Sequence, residues 1–370
     1  MAEPTKKTKI CIVMPGHWSD VMGGAQYQAA RLIEALIASG QFDIYYVTRN
    51  VEPSYKPEGY TVINIRKPFG PLKKGYLFLD ALPLLKALNE IKPDVIYTRI
   101  GCAYTGIAAY YTERNHCKLV WHVSSDANTM PDKLRLSRDI IPRFIDRKIF
   151  EYGITHATRI IAQTKSQAKQ LKNNFGREVT EVIANFHPIP KEKIAKGNPI
   201  KVVWVANLKK LKQPEIFIRL AKDFISIPNL EFIMIGAMQE TPHWKADITS
   251  LIRSANNLKY LGFTSQDKVN AILAESHILV NTSKWEGFTN TFIQAWMRKV
   301  PVVSLNVNPD NIFDDQKLGL FAGSYGQLKK HVETLIHNDQ LRHDMGEYAQ
   351  QYSLRHHSEE NARRILTILK

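Results

Sequence analysis

The sequence has few of the features expected of a disulfide-bonded protein, a metal site or a membrane-spanning protein. It contains only three cysteines in 370 residues, Cys11, Cys102 and Cys117, and their spacing is not that of a metal site. No stretch approaches the roughly 18 uncharged apolar residues of a transmembrane helix. The apolar run behind the basic N-terminus is too short for a signal peptide. We therefore expect reduced thiols in a cytoplasmic protein that does not itself span a membrane.

Recognisable nucleic-acid-binding modules are also missing, although the charge would suit one. The formal net charge of +15 at pH 7 indicates polyanionic partners. The sequence shows no zinc-finger spacing, no RRM-like aromatic strand and no basic zipper. Phosphate-bearing substrates or an anionic membrane surface are the favoured partners. Nucleic-acid binding is the alternative that rests on charge alone, and it would be steeply salt-sensitive.

What the sequence does contain is a repeated alternation of short apolar runs with helix-period segments. This alternation predicts an α/β fold with two Rossmann-like, doubly wound parallel-sheet domains that face each other across a cleft. The pattern pauses at a proline-rich stretch and then restarts. The predicted organisation is an N-terminal domain over 1–190, a linker over 191–199 and a second domain over 200–355. The helical stretch 356–370 is expected to cross back onto the first domain.

Four loops stand where strands of these domains should end, which is where open parallel sheets bind ligands. The glycine pair before Ala25 opens a helix and could admit a pyrophosphate, or could be a simple turn. A lysine-rich loop ends at Lys212, beside a helix start, and could bind phosphate or be a solvated loop. His122 ends a strand and could position a substrate hydroxyl or be a satisfied core histidine. The fourth loop, residues 285–295, carries Glu286 into a helix and is the most informative segment.

In this fourth segment the sequence, EGFTNTFIQAW, resembles the family 4 glycosyltransferases, which have the GT-B fold and retain anomeric configuration. The resemblance extends over nearly the whole chain, because the GGA helix opening, the VWH strand end, IIAQTKS and VIANF also follow the family order. It implies a donor site formed by Gly24, Lys212, Asn290 and Thr291 around the diphosphate. It also implies that Glu286 contacts the donor sugar and that His122 lies near the transferred sugar and the acceptor.

Two positions depart from the family pattern. Asn207 stands where the family usually has an arginine, which removes one cation from the phosphate site. Gln294 stands where a second glutamate normally binds the nucleotide ribose. A glutamine can still accept a hydrogen bond and can also donate one, so ribose binding is weakened and not abolished.

The resemblance implies transfer of a sugar from a nucleoside diphosphate to an acceptor hydroxyl on a glycan or lipid-linked glycan. We expect no cofactor and no bound metal, since the sequence has no Asp-x-Asp motif in a suitable context. Two alternatives stay open: a sugar-nucleotide epimerase, and a catalytically weakened relative that binds glycan or membrane. The basic segment over 132–150, with interleaved apolar residues, is either a membrane-docking surface or a core-packed helix with a solvated basic face.

Overall fold

The chain folds into two compact units. The computed structural model describes residues 7–20, 22–65, 76–131 and 140–370. Unit 1 comprises the described residues up to Phe186 together with Glu359–Lys370, and unit 2 comprises His187–Ser358. The sequence-based boundaries, at residues 190 and 355, lie a few residues from these divisions.

Unit 1 is built around a parallel sheet of seven strands. The strands are β1 (Thr8–Val13), β2 (Phe42–Thr48), β3 (Thr61–Asn64), β4 (Val95–Thr98), β5 (Lys118–His122), β6 (Arg159–Ala162) and β7 (Glu181–Val182). Their order is β3-β2-β1-β4-β5-β6-β7, so the direction of strand addition reverses between β1 and β4. In sheets of this type such a reversal opens a ligand-binding crevice at the carboxyl ends of the strands.

Unit 2 repeats the design with six parallel strands. The strands are β8 (Ile200–Val205), β9 (Leu230–Ile235), β10 (Leu258–Tyr260), β11 (Ile278–Asn281), β12 (Val302–Ser304) and β13 (Gly319–Phe321). The order β10-β9-β8-β11-β12-β13 reverses between β8 and β11. The prediction of two doubly wound parallel-sheet domains is confirmed.

Helices cover both faces of each sheet. In chain order they are α1 (Gly24–Ser39), α2 (Ala81–Ile91), α3 (Ala103–Thr112), α4 (Ile140–His156), α5 (Lys165–Phe175), α6 (Pro214–Asp223), α7 (Pro242–Arg253), α8 (Gln266–Glu275), α9 (Asn290–Trp296), α10 (Ile312–Gln316), α11 (Tyr325–His337), α12 (Asp339–His356) and α13 (Glu360–Leu369). Short 3₁₀ turns precede α2 and α6 at Leu77–Asp80 and Lys210–Lys212.

Successive side chains of β1 enter two different cores of unit 1. Ile10 and Ile12 pack with α1 and α13, whereas Cys11 and Val13 pack with α2, α3 and α4. Because both faces of the sheet are covered, the strand reads as a continuous apolar run. Ile365 of α13 lies in the first of these cores, so the C-terminal helix belongs to unit 1.

The central strand of unit 2 shows the same alternation. Val203 of β8 packs with α8 and α9, whereas Val202 and Trp204 pack with α6 and α11. The helices on both faces fix the loops that leave the carboxyl ends of β8 and β11. These loops hold the residues that the sequence assigns to donor binding.

Helix ends follow the local sequence signals in part. Gly40 ends α1 in the left-handed conformation, with φ 65°. The Thr164 side chain accepts a hydrogen bond from the Gln167 amide at the start of α5, as an N-cap should. Ser265 precedes α8 in extended conformation, but its side chain makes no capping hydrogen bond.

Candidate active site

The loops after β8 and β11 are bound together in unit 2. Thr282, directly after β11, donates its hydroxyl proton to the carbonyl oxygens of Lys212 at 2.6 Å and Gln213 at 3.0 Å. The indole of Trp204 in β8 donates to the same hydroxyl at 2.9 Å. Since β8 and β11 flank the reversal of strand order, this network fixes both loops at the crevice predicted for a ligand.

Lys212 and Glu286 form an ion pair at this edge. The Lys212 ammonium donates to Oε1 of Glu286, and the Ser283 hydroxyl donates to the same oxygen at 2.8 Å. Both charged side chains are about 19% exposed. The pair is therefore reachable by solvent, and a ligand with an anionic group and hydroxyls could take over the contacts of both partners.

The helix that follows Glu286 is short. Asn290 is the first residue of α9 and Thr291 the second, and the N-cap residue Thr289 makes no side-chain capping bond. Oδ1 of Asn290 lies 3.3 Å from the imidazole Nε2 of His187. Asn290 and Thr291, two of the residues that the resemblance places at the diphosphate, thus lie in the first turn of α9, and their role stays a prediction.

Gln294 lies one turn further along α9 and is 4% exposed. Its amide nitrogen donates to Oε1 of Gln266 at 3.1 Å and to Oδ1 of Asn270 at 2.9 Å, both on α8. With both of its amide hydrogens used, the carbonyl oxygen of the side chain is left as the acceptor for a further group. A ribose hydroxyl would suit that acceptor.

A glycine after β9 supports the loop that contains Asn207. Gly236 has a φ of +144°, and a Cβ at this position would lie 1.8 Å from the Ala206 carbonyl oxygen. Only glycine therefore lets the loops after β8 and β9 approach this closely. Gly236 was not among the predicted site residues, although a glycine directly after an apolar run often marks a close approach of the backbone.

Gly24 opens α1 in unit 1, directly after the loop that follows β1. The preceding residue, Gly23, is extended, and the first turn of the helix has no acidic side chain. The partial positive charge of this helix end is thus not offset within the first turn.

His122 ends β5 and is buried, with 1% of its surface exposed. Its Nδ1 lies 2.9 Å from Nη1 of Arg99 and 2.9 Å from the Tyr97 hydroxyl. Burial, followed by the charge of Arg99, holds the pKa of His122 well below its usual value, and the backbone of Ile183 acts in the opposite direction. Arg99 was not among the predicted site residues, although its position directly after the strand VIYT could have indicated it.

The predicted site residues thus fall into two groups, one in each unit. Lys212, Glu286, Asn290 and Gln294 lie on the loops and helix start around β8 and β11. The other predicted site residues are Asn207 and Thr291 in unit 2, and Gly24 and His122 in unit 1. Each group occupies the carboxyl edge of its own parallel sheet.

A cavity of about 490 Å³ opens at the same edge of unit 2. Its lining includes Gln213, Trp285, Asn306 and Tyr325, so aromatic rings and amides meet there. In the chain, Gln213 directly follows Lys212, and Trp285 directly precedes Glu286. The cavity therefore adjoins the ion pair.

The basic segment over 132–150 lies only partly in the described chain, which resumes at residue 140 with α4. Phe150 is buried and packs edge to face on Trp121. Ile141 is 69% exposed, and Phe144 and Ile145 are also exposed. The end of the segment is thus core-packed, and the described part between residues 141 and 145 presents apolar side chains to solvent.

Neither a metal cluster nor a membrane span is found in the parts of the chain that the structure describes. No group of three or more His, Cys, Asp or Glu side chains within residues 7–20, 22–65, 76–131 and 140–370 could hold a metal ion. Over the same ranges no helix has the length and apolar character to cross a bilayer.

Two curated proteins are similar to this chain in sequence. An uncharacterized glycosyltransferase of Methanocaldococcus jannaschii is 24% identical over 71% of this chain and 68% of its own length. A poly(ribitol-phosphate) alpha-N-acetylglucosaminyltransferase of Staphylococcus aureus is 25% identical over 58% of this chain, and that match spans 45% of its own length.

Solved structures share the fold over almost the entire chain. Sucrose-phosphate synthase from Thermosynechococcus elongatus superposes with a TM-score of 0.79, at 14% identity, over 98% of both chains. Anabaena HepE in complex with UDP-glucose superposes with a TM-score of 0.74, at 16% identity, over 98% of this chain and 99% of its own.

Two family models match consecutive parts of the sequence. The model described as Glycosyltransferase Family 4 matches residues 22–188, and the model described as Glycosyl transferases group 1 matches residues 186–352. The first match begins just before Gly24, and the second contains Lys212, Glu286 and Gln294. Together with the shared GT-B fold, these matches show that the chain is a glycosyltransferase, similar in its first part to the family 4 model and in its second part to the group 1 model.

Proposed function

We propose that the protein transfers a sugar from a nucleoside diphosphate sugar to an acceptor hydroxyl, with retention of anomeric configuration and without a bound metal. The observation that carries this proposal is the Lys212–Glu286 pair at the reversal of strand order in unit 2. It offers one cation and one carboxylate side by side, which suits a ligand with a phosphate next to sugar hydroxyls.

Donor binding would exchange the partners of this pair. The Lys212 ammonium would move its contact from Glu286 to a phosphate oxygen, and the Glu286 carboxylate would accept hydrogen bonds from sugar hydroxyls. Because solvent reaches this partly exposed pair, donor binding would exchange one charge-assisted contact for another. Lys212 would then stabilise the negative charge that develops on the departing diphosphate.

The remaining site residues would complete the donor site. In unit 2 the amides at Asn290 and Thr291 would face the diphosphate, the side chain of Gln294 would accept from the ribose, and Asn207 would replace the second cation by a neutral amide. In unit 1 the amide of Gly24, at a helix start, would suit an anionic group of the ligand. His122 would orient the sugar or the acceptor. HepE, a structural neighbour, was solved with UDP-glucose, which makes uridine diphosphate sugars the first donors to test.

A donor screen followed by a transfer assay tests this proposal. Uridine, guanosine and thymidine diphosphate sugars are compared for thermal stabilisation, since a ligand that binds only the folded state raises its stability. Donors that stabilise are then assayed for transfer or hydrolysis, with excess EDTA in one arm and with NMR of the product anomer. We expect turnover in EDTA and a retained anomer.

The screen also separates the proposal from its alternatives. Stabilisation without turnover would favour a catalytically weakened binding protein, for which Asn207 and Gln294 are the reason to ask. Conversion of the donor into an epimer without transfer would favour an epimerase. Inversion, or a strict need for a divalent metal, would contradict the proposed mechanism.

We further propose that the acceptor is a glycan or lipid-linked glycan of a bacterial-type polysaccharide pathway, reached at an anionic membrane surface on the cytoplasmic side. Support comes from the exposed apolar side chains Ile141, Phe144 and Ile145, which lie beside Arg143 and Lys148 on α4. Apolar side chains with flanking cations are typical of interfacial helices on anionic lipid.

Vesicle co-sedimentation tests the membrane proposal. The double variant Ile141→Ser/Phe144→Ser should bind vesicles of phosphatidylglycerol roughly tenfold less than the wild type, because the buried apolar area is lost. Leu82→Ser is the matched control, since Leu82 is 80% exposed on α2 of the same unit. Equal binding to neutral and anionic vesicles, or an equal loss in the control, would overturn it.

A further inference from the structure

Arg99 in unit 1 is a buried cation whose recorded partners are all neutral. It is 1% exposed, and it donates from Nη1 to the Tyr97 hydroxyl at 3.1 Å and to Nδ1 of His122 at 2.9 Å. Nη2 donates to the side-chain oxygen of Asn185. Within the described ranges no carboxylate lies within ion-pair distance of Arg99. An arginine placed this way costs free energy of folding, so its position calls for a role beyond stability.

The hydrogen bond between Arg99 and His122 fixes which imidazole nitrogen carries the proton. A guanidinium has only donors, so the ring nitrogen that faces it must be an acceptor. That nitrogen is Nδ1. In the neutral ring the hydrogen must then reside on Nε2. The Tyr97 hydroxyl can satisfy the same Nδ1 only as a donor, which agrees with its receiving a bond from Arg99.

The opposite ring nitrogen, Nε2 of His122, is buried and makes no hydrogen bond of good geometry among the described residues, although the Ile183 backbone also acts on the ring. Buried donors without a well-formed hydrogen bond recur at functional sites. His122 stands at the carboxyl end of β5, on the same sheet edge as Gly24.

We propose that Arg99 is a positioning residue that holds His122 as the neutral Nε2–H tautomer, so that His122 offers a sugar hydroxyl a hydrogen-bond donor and does not act as a general base. This inference rests on the proposed function for what the donor meets, but the tautomer itself is independent of any activity. The Arg99 guanidinium, the Tyr97 hydroxyl and the Ile183 backbone all act on the His122 imidazole.

His17 provides an internal reference in the same unit. Its Nδ1 accepts from the Ser19 amide at 3.1 Å, and its Nε2 lies 3.1 Å from the Tyr60 hydroxyl. It is therefore also an Nε2–H imidazole, but both of its nitrogens have protein partners. Burial lowers the pKa of His17 to about 4. Its signals should be the same in every variant at Arg99.

Long-range proton–nitrogen NMR spectra of the full chain with labelled histidine test the proposal. In the wild type, His122 should show a protonated Nε2 and a bare Nδ1 that do not change between about pH 8 and pH 5. Arg99→Gln keeps a donor but removes the charge, so the tautomer should persist while the pKa of His122 rises from its wild-type value. Arg99→Met removes both, so the two tautomers should mix.

Tyr97→Phe is the matched control, because it removes a neighbour of Nδ1 and leaves the Arg99 donor in place. It should keep the Nε2–H tautomer. A wild-type Nδ1–H signal, or an Arg99→Met spectrum identical to the wild type, would overturn the proposal. Unchanged His17 signals show that each variant is folded.

The transfer assay supplies the second readout. Arg99→Gln should lose more of its transfer rate than the wild type as the pH is lowered, because loss of the Arg99 charge raises the pKa of His122 while burial still holds it down. Arg99→Met should lower kcat roughly tenfold or more across the pH range. Should no donor support transfer, the proposed function fails while the tautomer assignment is still decided by the spectra. Identical pH profiles in the wild type and Arg99→Gln would overturn the positioning role.

Discussion

The two carboxyl sheet edges hold their cations in opposite ways. In unit 2 the Lys212 ammonium contacts a carboxylate, and both partners are about 19% exposed. In unit 1 the Arg99 guanidinium is 1% exposed and contacts only a phenol, an imidazole and an amide. The first cation can change partners when a ligand arrives. The second is fixed, and it acts on the group beside it.

This difference follows from the two side chains and from solvent. A lysine ammonium is a compact charge on a flexible stem, so it can follow a phosphate. An arginine presents a planar set of donors that holds several acceptors at once. Water screens the partly exposed pair more than the buried charge, which keeps more of its effect on neighbours. Under the proposed function, the cation of unit 2 would follow the donor phosphate, and the cation of unit 1 would hold the imidazole beside it.

The largest expected effect comes from breaking the exchangeable pair. Lys212→Met should lower the transfer rate by about 10²–10³, because the cation that stabilises the departing diphosphate is lost. Glu286→Gln should lower it through the lost sugar contacts. In the double variant Lys212→Met/Glu286→Gln the loss should be no greater than in the worse single variant, since the two residues act on one transition state. Transfer rates measured with saturating donor check this.

A remote pair in the same unit is the matched control. Lys201 and Glu275 form an ion pair with Nζ and Oε2 2.6 Å apart. Lys201→Met should leave the transfer rate unchanged. If the double variant at the site recovered a near-wild-type rate, Lys212 and Glu286 would be an ordinary surface salt bridge, and the comparison between the two edges would fail.

Removing the carboxylate from a buried ion pair should cost more stability than removing it from a partly exposed pair. Asp80 is fully buried, and its carboxylate binds Arg49 and accepts from the Tyr104 hydroxyl. Asp80→Ala takes from the buried Arg49 the carboxylate that it contacts, so it should lower the free energy of unfolding by about 3–5 kcal/mol. Glu286→Ala should lower it by at most about 1 kcal/mol. Urea denaturation of both variants measures the difference, and similar losses would contradict it.

The sequence predicts the fold better than it predicts the site. Short apolar runs locate the strands because both sheet faces are buried, and Gly40 and Thr164 mark helix ends by local chemistry. The run at 181–186 reads as a strand, yet only Glu181–Val182 pairs with β6. Pairing there is decided by the neighbouring strand and not by local sequence.

The site residues that the sequence missed are those whose role depends on distant partners. Arg99 reads as one more basic residue, and only the fold brings Asn185 and His122 to it. Gly236 ends a predicted strand over 230–236, and only the approach of the Ala206 carbonyl shows why no side chain fits there. By contrast, Glu286 and Gln294 lie on one short segment, so the family resemblance could assign both of them to the donor site from sequence.

The smallest expected effect comes from adding a charge to the edge of unit 2. Gln294→Glu turns the side chain into an acceptor only, and the amides of Gln266 and Asn270 can rotate to donate to it. A charged acceptor strengthens a hydrogen bond by about 1 kcal/mol, so the Kd of the nucleoside diphosphate should fall roughly fivefold. Calorimetry with the ribose and the 2′,3′-dideoxyribose forms isolates the cause, because the gain should vanish when the hydroxyls are absent. An equal gain with both forms would place the effect on the phosphates, and weaker binding of the ribose form would remove Gln294 from the donor site.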